Sequence, residues 1–348
     1  PKPEKSENQA RRNGWGSNFR NYLEIMNSLQ KSPEELHVPV MLARTIEILG
    51  DALTEEGSVL VDCTLGLGGH TEAFLEQFPQ LTVIGIDRDL NALDLAGKRL
   101  ERFGSRFKFA HATYDQILEV ISSFGIDQVQ GVLLDLGVSS MQLDEAERGF
   151  AYSYDAPLDM RMDETEELTA AEVLNRYSES ELVRIFKDYG EERYAKQIAA
   201  AIVRERAVSP FTASQRLAKL IVELVPFIPG KSKGHPAKRV FQALRIEVNR
   251  ELDVLKSTMP AAIEALAVGG RILVLSYHSL EDRIVKQALV AAATSSAPLD
   301  LPIELPEHAP ILRLVVKGAE QASEIEIQEN PRAASVRLRA AEKIRRAA

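Results

Sequence analysis

Between Ser58 and Asp135 the chain alternates short β-branched runs with amphipathic stretches, and this rhythm restricts the fold more than any other feature. Ser58–Asp62, Leu81–Asp87, Arg106–His111 and Gly131–Asp135 read as strands. Between them lie a helix that follows a Gly-rich turn and runs through Phe78 to Pro79, then Leu90–Phe103, then Tyr114–Phe124. Strands separated by helices of this length form βαβ units, and such units build a parallel sheet. Upstream, Val38–Leu49 carries apolar residues at helical intervals and stops at Gly50.

After Ser140 the rhythm changes. Residues 142–235 carry helical patterns at Ala170–Arg176, Ser180–Tyr189, Arg193–Arg206 and Ala213–Val225, with no convincing strand. Pro226, Pro229, Gly230, Gly234 and Pro236 then read as a linker. Alternation resumes with a largely helical Ala237–Leu266, a turn at Gly269-Gly270, a strand at Arg271–Ser276 and a helix at Leu280–Ala293. Ile311–Val316 and Ser335–Ala341 read as two last strands. The expected organisation is therefore a polar arm (1–32), one α/β domain in two parts (33–141 and 236–348) and a helical insertion (142–235). Within the mildly positive arm, Tyr22–Leu29 is expected to be a short helix. Trp15 is read as an anchor against the protein surface in preference to a base-stacking residue.

Composition narrows the setting. At 348 residues the chain has room for about two domains. Its 45% hydrophobic content supports a real core and excludes wholesale disorder. The one cysteine, Cys63, cannot form an internal disulfide or a cysteine-cluster zinc site. No apolar run of ~18 residues is present, so no membrane span is expected. Lys2, Glu4, Lys5 and Glu7 replace the apolar stretch of a secretory signal. A cytoplasmic protein is expected. Nothing fixes the oligomeric state; a dimer is allowed. The net charge of −9 hides a segregation. Residues 142–192 hold 15 acids and 5 bases, whereas 193–250 hold 12 bases and 3 acids. The basic block could meet a polyanion, although on the charges alone solvated helix faces that neutralise each other are the favoured reading.

The sharpest local signal is Val61-Asp62-Cys63-Thr64-Leu65-Gly66-Leu67-Gly68-Gly69-His70, which follows a strand and opens a helix. Glycines let a ligand approach the backbone, and a helix N-terminus offers N–H groups without helical partners. Asp87 ends the next strand, at a spacing that suits a carboxylate bonded to ribose hydroxyls. A dinucleotide fingerprint would need a glycine where Thr71 stands, and a P-loop would need Gly-Lys-Ser/Thr. Asp62 would repel a pyrophosphate but suits a ligand with amino and sulfonium groups. The pattern favours S-adenosylmethionine over a tight turn without a ligand.

These residues, with others along the chain, resemble the bacterial ribosomal RNA small subunit methyltransferase H family. The matching stretches include His37–Leu42, Asp62–His70, Gly85–Asp89, Leu133–Ser140, Glu147–Phe150, Pro157–Met162, Tyr189–Arg193, His235–Ala237, Phe241–Ile246 and Ser276–Arg283, and they cover roughly 36–340. The resemblance implies a class I S-adenosylmethionine-dependent methyltransferase: a Rossmann-like, mostly parallel sheet with an inserted helical domain. It implies N4-methylation of a cytidine in 16S rRNA of the small ribosomal subunit, at the decoding region. It also implies cofactor contacts at Gly68, Gly69, His70, Asp87, Tyr114, Asp135 and Gln142. Tyr114 would stand against adenine.

An exocyclic cytosine amine is a poor nucleophile, so such an enzyme must align nitrogen, methyl and sulfur and accept hydrogen bonds from the amine. Many amino-methyltransferases use Asp/Asn/Ser-Pro-Pro-aromatic after the fourth strand; this chain has Asp135-Leu136-Gly137-Val138-Ser139-Ser140. Asp135, or backbone carbonyls near it, is expected to orient the amine, with Ser139 supporting the loop. His278 either carries a proton or binds the nucleotide, or else caps the helix beginning near Leu280. Cys63 reads as a small buried hydrophobe, which disfavours cysteine-dependent C5 methylation. Zinc deamination lacks its ligands, and no metal site is read from the sequence. For the RNA, the candidates are Lys231, Lys233, Lys238, Arg239 and Arg245, with Arg148 and Arg161 near the start of the insertion. Phe150, Tyr152 and Tyr154 add aromatic surface. A methyltransferase acting on another amine, or a silent RNA-binding assembly factor on the same fold, remain the competing readings.

Overall fold

The structure is a computed structural model and describes residues 39–138, 148–152, 155–226, 235–298 and 305–346. Trp15, Tyr22–Leu29, Ser139, Gln142, Tyr154, Lys231 and Lys233 lie outside the described residues.

Seven strands form one sheet: β1 (Val59–Asp62), β2 (Thr82–Asp87), β3 (Phe107–His111), β4 (Val129–Asp135), β5 (Leu266–Ser276), β6 (Leu312–Leu314) and β7 (Arg337–Lys343). Their order is β3-β2-β1-β4-β5-β7-β6. The first five are parallel to their neighbours, and β7 runs antiparallel between β5 and β6. All four residues of β1 are buried, as expected of a central strand covered on both faces. The chain moves outward from β1 through β2 to β3, then returns to set β4 on the other flank of β1. In open α/β sheets, ligands bind above the carboxyl ends of strands at such a switch.

Helices cover both faces. On one side lie α1 (Leu42–Gly50) and α2 (Gly69–Gln77), whose Ile46, Leu49, Phe74 and Leu75 pack on Leu60, Val83 and Leu133. Near them, α3 (Leu90–Leu100) sets Leu93, Ala96 and Leu100 against Leu65. On the other side, α4 (Ile117–Ser123) packs on Val61, Ile84 and Val132. The expected helix at Tyr114 begins as a 3₁₀ turn, Tyr114–Gln116.

Between β4 and β5 come α5 (Ala170–Arg176), α6 (Glu179–Asp188), α7 (Ala195–Arg206), α8 (Ser214–Leu224) and α9 (Lys238–Asn249). Thr169 and Ser178 begin α5 and α6 with reciprocal capping boxes to Glu172 and Glu181. Among the described residues this region holds no strand, only an isolated bridge between Pro157 and Ala213. These helices share a core of their own that includes Phe150, Ile198, Phe211 and Phe241 and continues to Val248. By packing, therefore, α9 goes with them.

Two expectations need correction. The helical stretch 237–266 is two helices, α9 and α10 (Glu251–Ala265), broken at Arg250 with a left-handed φ of 51°. Neighbours hold the break: Arg88 Nη1 donates to the Asn249 carbonyl at 2.8 Å, and the Asn249 side chain bonds Met160 O and Met162 N, both at 2.7 Å. The expected turn at Gly269-Gly270 is a bulge inside β5. Register with β4 jumps from Val129–Leu266 to Gly131–Arg271, so the extra residues loop out without ending the strand. Past β5, α11 (Ser279–Ala292) joins α4 and α10 on their face of the sheet, and α12 (Glu324–Glu329) precedes β7.

Candidate active site

The ends of β1, β2 and β4 each deliver one carboxylate to the switch point: Asp62, Asp87 and Asp135. Beside them lies a cavity of about 570 Å³, large enough for a nucleoside joined to an amino acid. Its floor is the turn from Cys63 to Leu67. Gly68 ends that turn at φ +76°, where a side chain is both strained and obstructed: a Cβ would sit 2.8 Å from Leu100 Cδ1. From Gly68 the chain enters α2, which has no side-chain cap, so its first N–H groups lack helical partners. Gly69 and His70 line the cavity from this helix end.

Asp87 folds the turn. Its Oδ2 accepts from Gly66 N–H at 2.8 Å and its Oδ1 from Asp89 N–H at 2.9 Å. A carboxylate keeps further lone pairs for hydroxyl donors. Burial raises its pKa. Asp62 lies beneath the turn, accepting from Thr71 Oγ1 at 2.7 Å and Thr64 N–H at 3.2 Å; burial pushes it up to about 6. Tyr114 lines the cavity, and burial raises its phenol as well.

Asp135 faces the cavity with a quarter of its side chain exposed. Its N–H donates to Thr64 Oγ1 at 2.6 Å, and its Oδ1 accepts from Tyr277 Oη at 2.6 Å. Burial pushes its pKa up to about 7. His70 Nδ1 stands 3.7 Å from Oδ2. His70 Nε2 lies 3.2 Å from the Val40 carbonyl, which can only accept, so the proton belongs on Nε2. Burial lowers the pKa of His70, leaving Nδ1 as an acceptor.

The opposite wall is one face of α9: Lys238, Phe241, Gln242 and Arg245, at helical spacing, all line the cavity. Tyr152 stands with them, stacked on His235 at 4.6 Å and edge-on to Phe241 at 5.7 Å. Arg245 is committed to Glu251 through two bonds of 2.8 and 2.9 Å. Glu251, His278 and Glu281 could offer three metal-ligand atoms within 4.8 Å of one another. The Arg245 guanidinium already supplies positive charge to that cluster.

The structure reassigns several sequence-expected residues. Arg148 is 7% exposed, and its Nη1 donates to Asp89 Oδ2 at 2.7 Å while Nη2 donates to the Arg161 and Met162 carbonyls. It is an internal tie, not a phosphate contact. Arg161 is occupied with Asp159 and the Glu164 and Glu166 carbonyls. Arg239 is not among the cavity-lining residues and donates to the Glu191 carbonyl. His278 begins α11 as its N-cap: Nδ1 accepts from Glu281 N–H, and Nε2 lies 3.1 Å from Glu281 Oε1 without the alignment of a hydrogen bond. The capping alternative therefore describes its hydrogen bonding, and the residue also lines the cavity. Phe150 is buried in the helical core, and Cys63 is buried with its thiol pKa raised by burial. Sequence reasoning missed Tyr277, Thr64 and Gln242. Tyr277 adjoins His278 at the end of β5, where a crevice-facing position could have marked it.

A model of the MraW methylase family matches residues 34–344. The chain is 57% identical over 316 residues to ribosomal RNA small subunit methyltransferase H of Saccharopolyspora erythraea, covering 91% of this chain and 96% of that one. It is 59% identical over 313 residues to the protein of the same name from Clavibacter michiganensis (90% and 98% covered), and 60% identical over 307 residues to that of a Nocardioides species (88% and 96% covered). Among solved structures, an rRNA methylase from Streptococcus thermophilus aligns with a TM-score of 0.40 at 11% identity, covering 89% of this chain and all of that one. A putative methyltransferase from Streptococcus mutans in complex with SAH aligns with a TM-score of 0.37 at 13% identity, covering 86% and 98%.

Proposed function

Because the chain belongs to the MraW methylase family, we propose that it transfers the methyl group of S-adenosylmethionine to N4 of a cytidine in 16S rRNA, at the decoding region of the small ribosomal subunit. The observation that carries this reading is the meeting of the glycine turn, Asp87 and Asp135 on one cavity at the switch point of the sheet. The work belongs in the cytoplasm, where small subunits are found.

The residues present fit the cofactor. The uncapped N-terminus of α2 suits a carboxylate. The remaining lone pairs of Asp87 suit ribose hydroxyls, and Tyr114 offers a face for adenine. Gly68 and Gly69 keep side chains out of the turn, and His70 holds the start of α2 against Val40. Bound there, S-adenosylmethionine supplies a methyl group already activated by its sulfonium.

The protein's own part is to aim the amine and remove its proton. The cytosine amine is weakly nucleophilic because its lone pair is shared with the ring. Asp135 Oδ2 accepts one amine hydrogen, which orients the nitrogen and favours positive charge on it as the new N–C bond forms. Burial raises the basicity of Asp135, which suits the carboxylate to taking that proton. The neutral His70 Nδ1 adds a second acceptor on the same side. Phe241, Gln242 and Tyr152 flank the base, and Lys238 stands nearest the approaching backbone. Lys231 and Lys233 as RNA contacts, Ser139 as a support for the loop and Gln142 as a cofactor contact stay expectations from the sequence and the family resemblance, because all four lie outside the described residues. No proton step is assigned to His278.

The direct test is transfer of labelled methyl from S-adenosylmethionine to isolated small subunits, followed by nucleoside analysis. N4-methylcytidine is the expected product. Label in another nucleoside, in protein, or nowhere overturns the assignment.

A further inference from the structure

We propose that Tyr277 is a positioning residue of the methyl-transfer site: its hydroxyl fixes Asp135 through Oδ1, so that only Oδ2 is presented to the substrate amine. The inference rests on the reading that this cavity methylates an amine, and it adds a residue that the family resemblance did not assign.

The geometry is built from both sides. Tyr277 follows β5 directly, and a buried carboxylate clamps its backbone. Glu281 Oε2 accepts from Tyr277 N–H at 2.8 Å and from His278 N–H at 3.1 Å. The ring lies against Gly137, where an added Cβ would be 3.4 Å from Cδ2. Clamped so, Tyr277 Oη reaches Asp135 Oδ1 at 2.6 Å. Asp135 is also anchored by its own N–H on Thr64 Oγ1. Backbone and one carboxylate oxygen are thus both held. The other oxygen remains, 3.7 Å from a histidine nitrogen that does not donate to it.

This bond also acts on charge. A donor to a carboxylate favours its ionised form. Tyr277 is the group that lowers the pKa of Asp135, against burial and Glu281, which both raise it. The other titratable groups around the pair are Asp62 and His70 on the β1–α2 side and Glu326 of α12, whose Oε1 accepts from Met41 N–H at 2.5 Å. Without the Tyr277 hydroxyl, Asp135 would hold its proton to higher pH and would rotate more freely. Both effects reduce the fraction of molecules ready to accept from the amine.

The variant is Tyr277→Phe, which keeps the ring on Gly137 and removes only the donor. Two measurements are made. In ligand-free protein, carbon NMR follows the Asp135 carboxyl through a pH titration, with Asp135→Asn identifying the signal. Its midpoint is expected to rise by about one pH unit or more in the variant. In single turnovers on small subunits, the acid limb of the methyl-transfer rate is expected to rise equally, and the plateau to fall roughly tenfold. Calorimetric affinity for S-adenosylmethionine is expected to change less than about threefold. An unmoved carboxyl midpoint, or a rate lowered by the same factor at every pH, overturns the inference. Wild-type protein that methylates nothing overturns the parent reading, whatever the carboxyl titration gives. Active wild type with an unaltered variant overturns this inference alone.

Discussion

Arg148 and Asp89 form a buried ion pair, 2.7 Å long and 7% and 2% exposed, that ties the start of the helical region to the loop after β2. Asp89 also caps α3 by accepting from Asn91 and Ala92 N–H, so one carboxylate ends a strand loop, begins a helix and holds the neighbouring unit. Removing one partner leaves the other charge buried. Arg148→Ala is expected to cost about 3–5 kcal/mol in urea unfolding, with part regained in Arg148→Ala combined with Asp89→Ala. A single variant with a wild-type midpoint would show that the pair is replaceable by water.

The next residue makes a separate prediction. Gly149 has φ +71°, and a Cβ there would lie 2.0 Å from the Pro157 carbonyl oxygen. Both backbone strain and overlap oppose a side chain. Gly149→Ala is expected to destabilise by at least about 2 kcal/mol. Thermal denaturation checks it, and an unchanged melting temperature would mean the segment can move aside freely.

Asp135 links stability to pH in the ligand-free protein. Its folded-state pKa, near 7, lies above the ordinary carboxylate value, so folding favours the protonated form. The stability this contributes is complete below the unfolded pKa and is lost as pH rises through about 7. Asp135→Asn does not titrate and escapes the loss. Relative to wild type, the variant is expected to gain stability between about pH 5 and pH 8. Parallel urea midpoints at both pH values would reject the raised carboxylate.

For the RNA surface, Lys231→Glu with Lys233→Glu is expected to weaken small-subunit RNA binding. Its salt dependence should flatten by about 0.7–0.9 in slope for each phosphate that the lysines no longer neutralise. Cofactor affinity should stay at the wild-type value. An RNA affinity equal to wild type across the salt series removes this pair from the interface.

The sheet was readable because its central strands are covered on both faces, which forces continuous apolar runs such as Val59–Val61. The cofactor end was readable because a strand, glycines and a second acid must follow one another within a short stretch of chain. The break at Arg250 was not. Its helical periodicity continues across the joint, and the stabilising partners, Arg88 and Met160, are remote in sequence. Arg148 misled for the same reason. An arginine in a stretch that matches an RNA-methylating family looks available for phosphate until its partner, 59 positions away, is brought beside it. Tyr277 needed the reverse step: a hydrogen bond spanning 142 positions turns an unremarkable aromatic into the neighbour of the reactive carboxylate.

The cavity draws one rim from Pro39 and Val40 and another from Pro331, Arg332 and Ser335, at opposite ends of the described sequence. The completed rim thus depends on packing between segments about 290 positions apart, and loss of the chain from Pro331 onward would remove that wall together with β7.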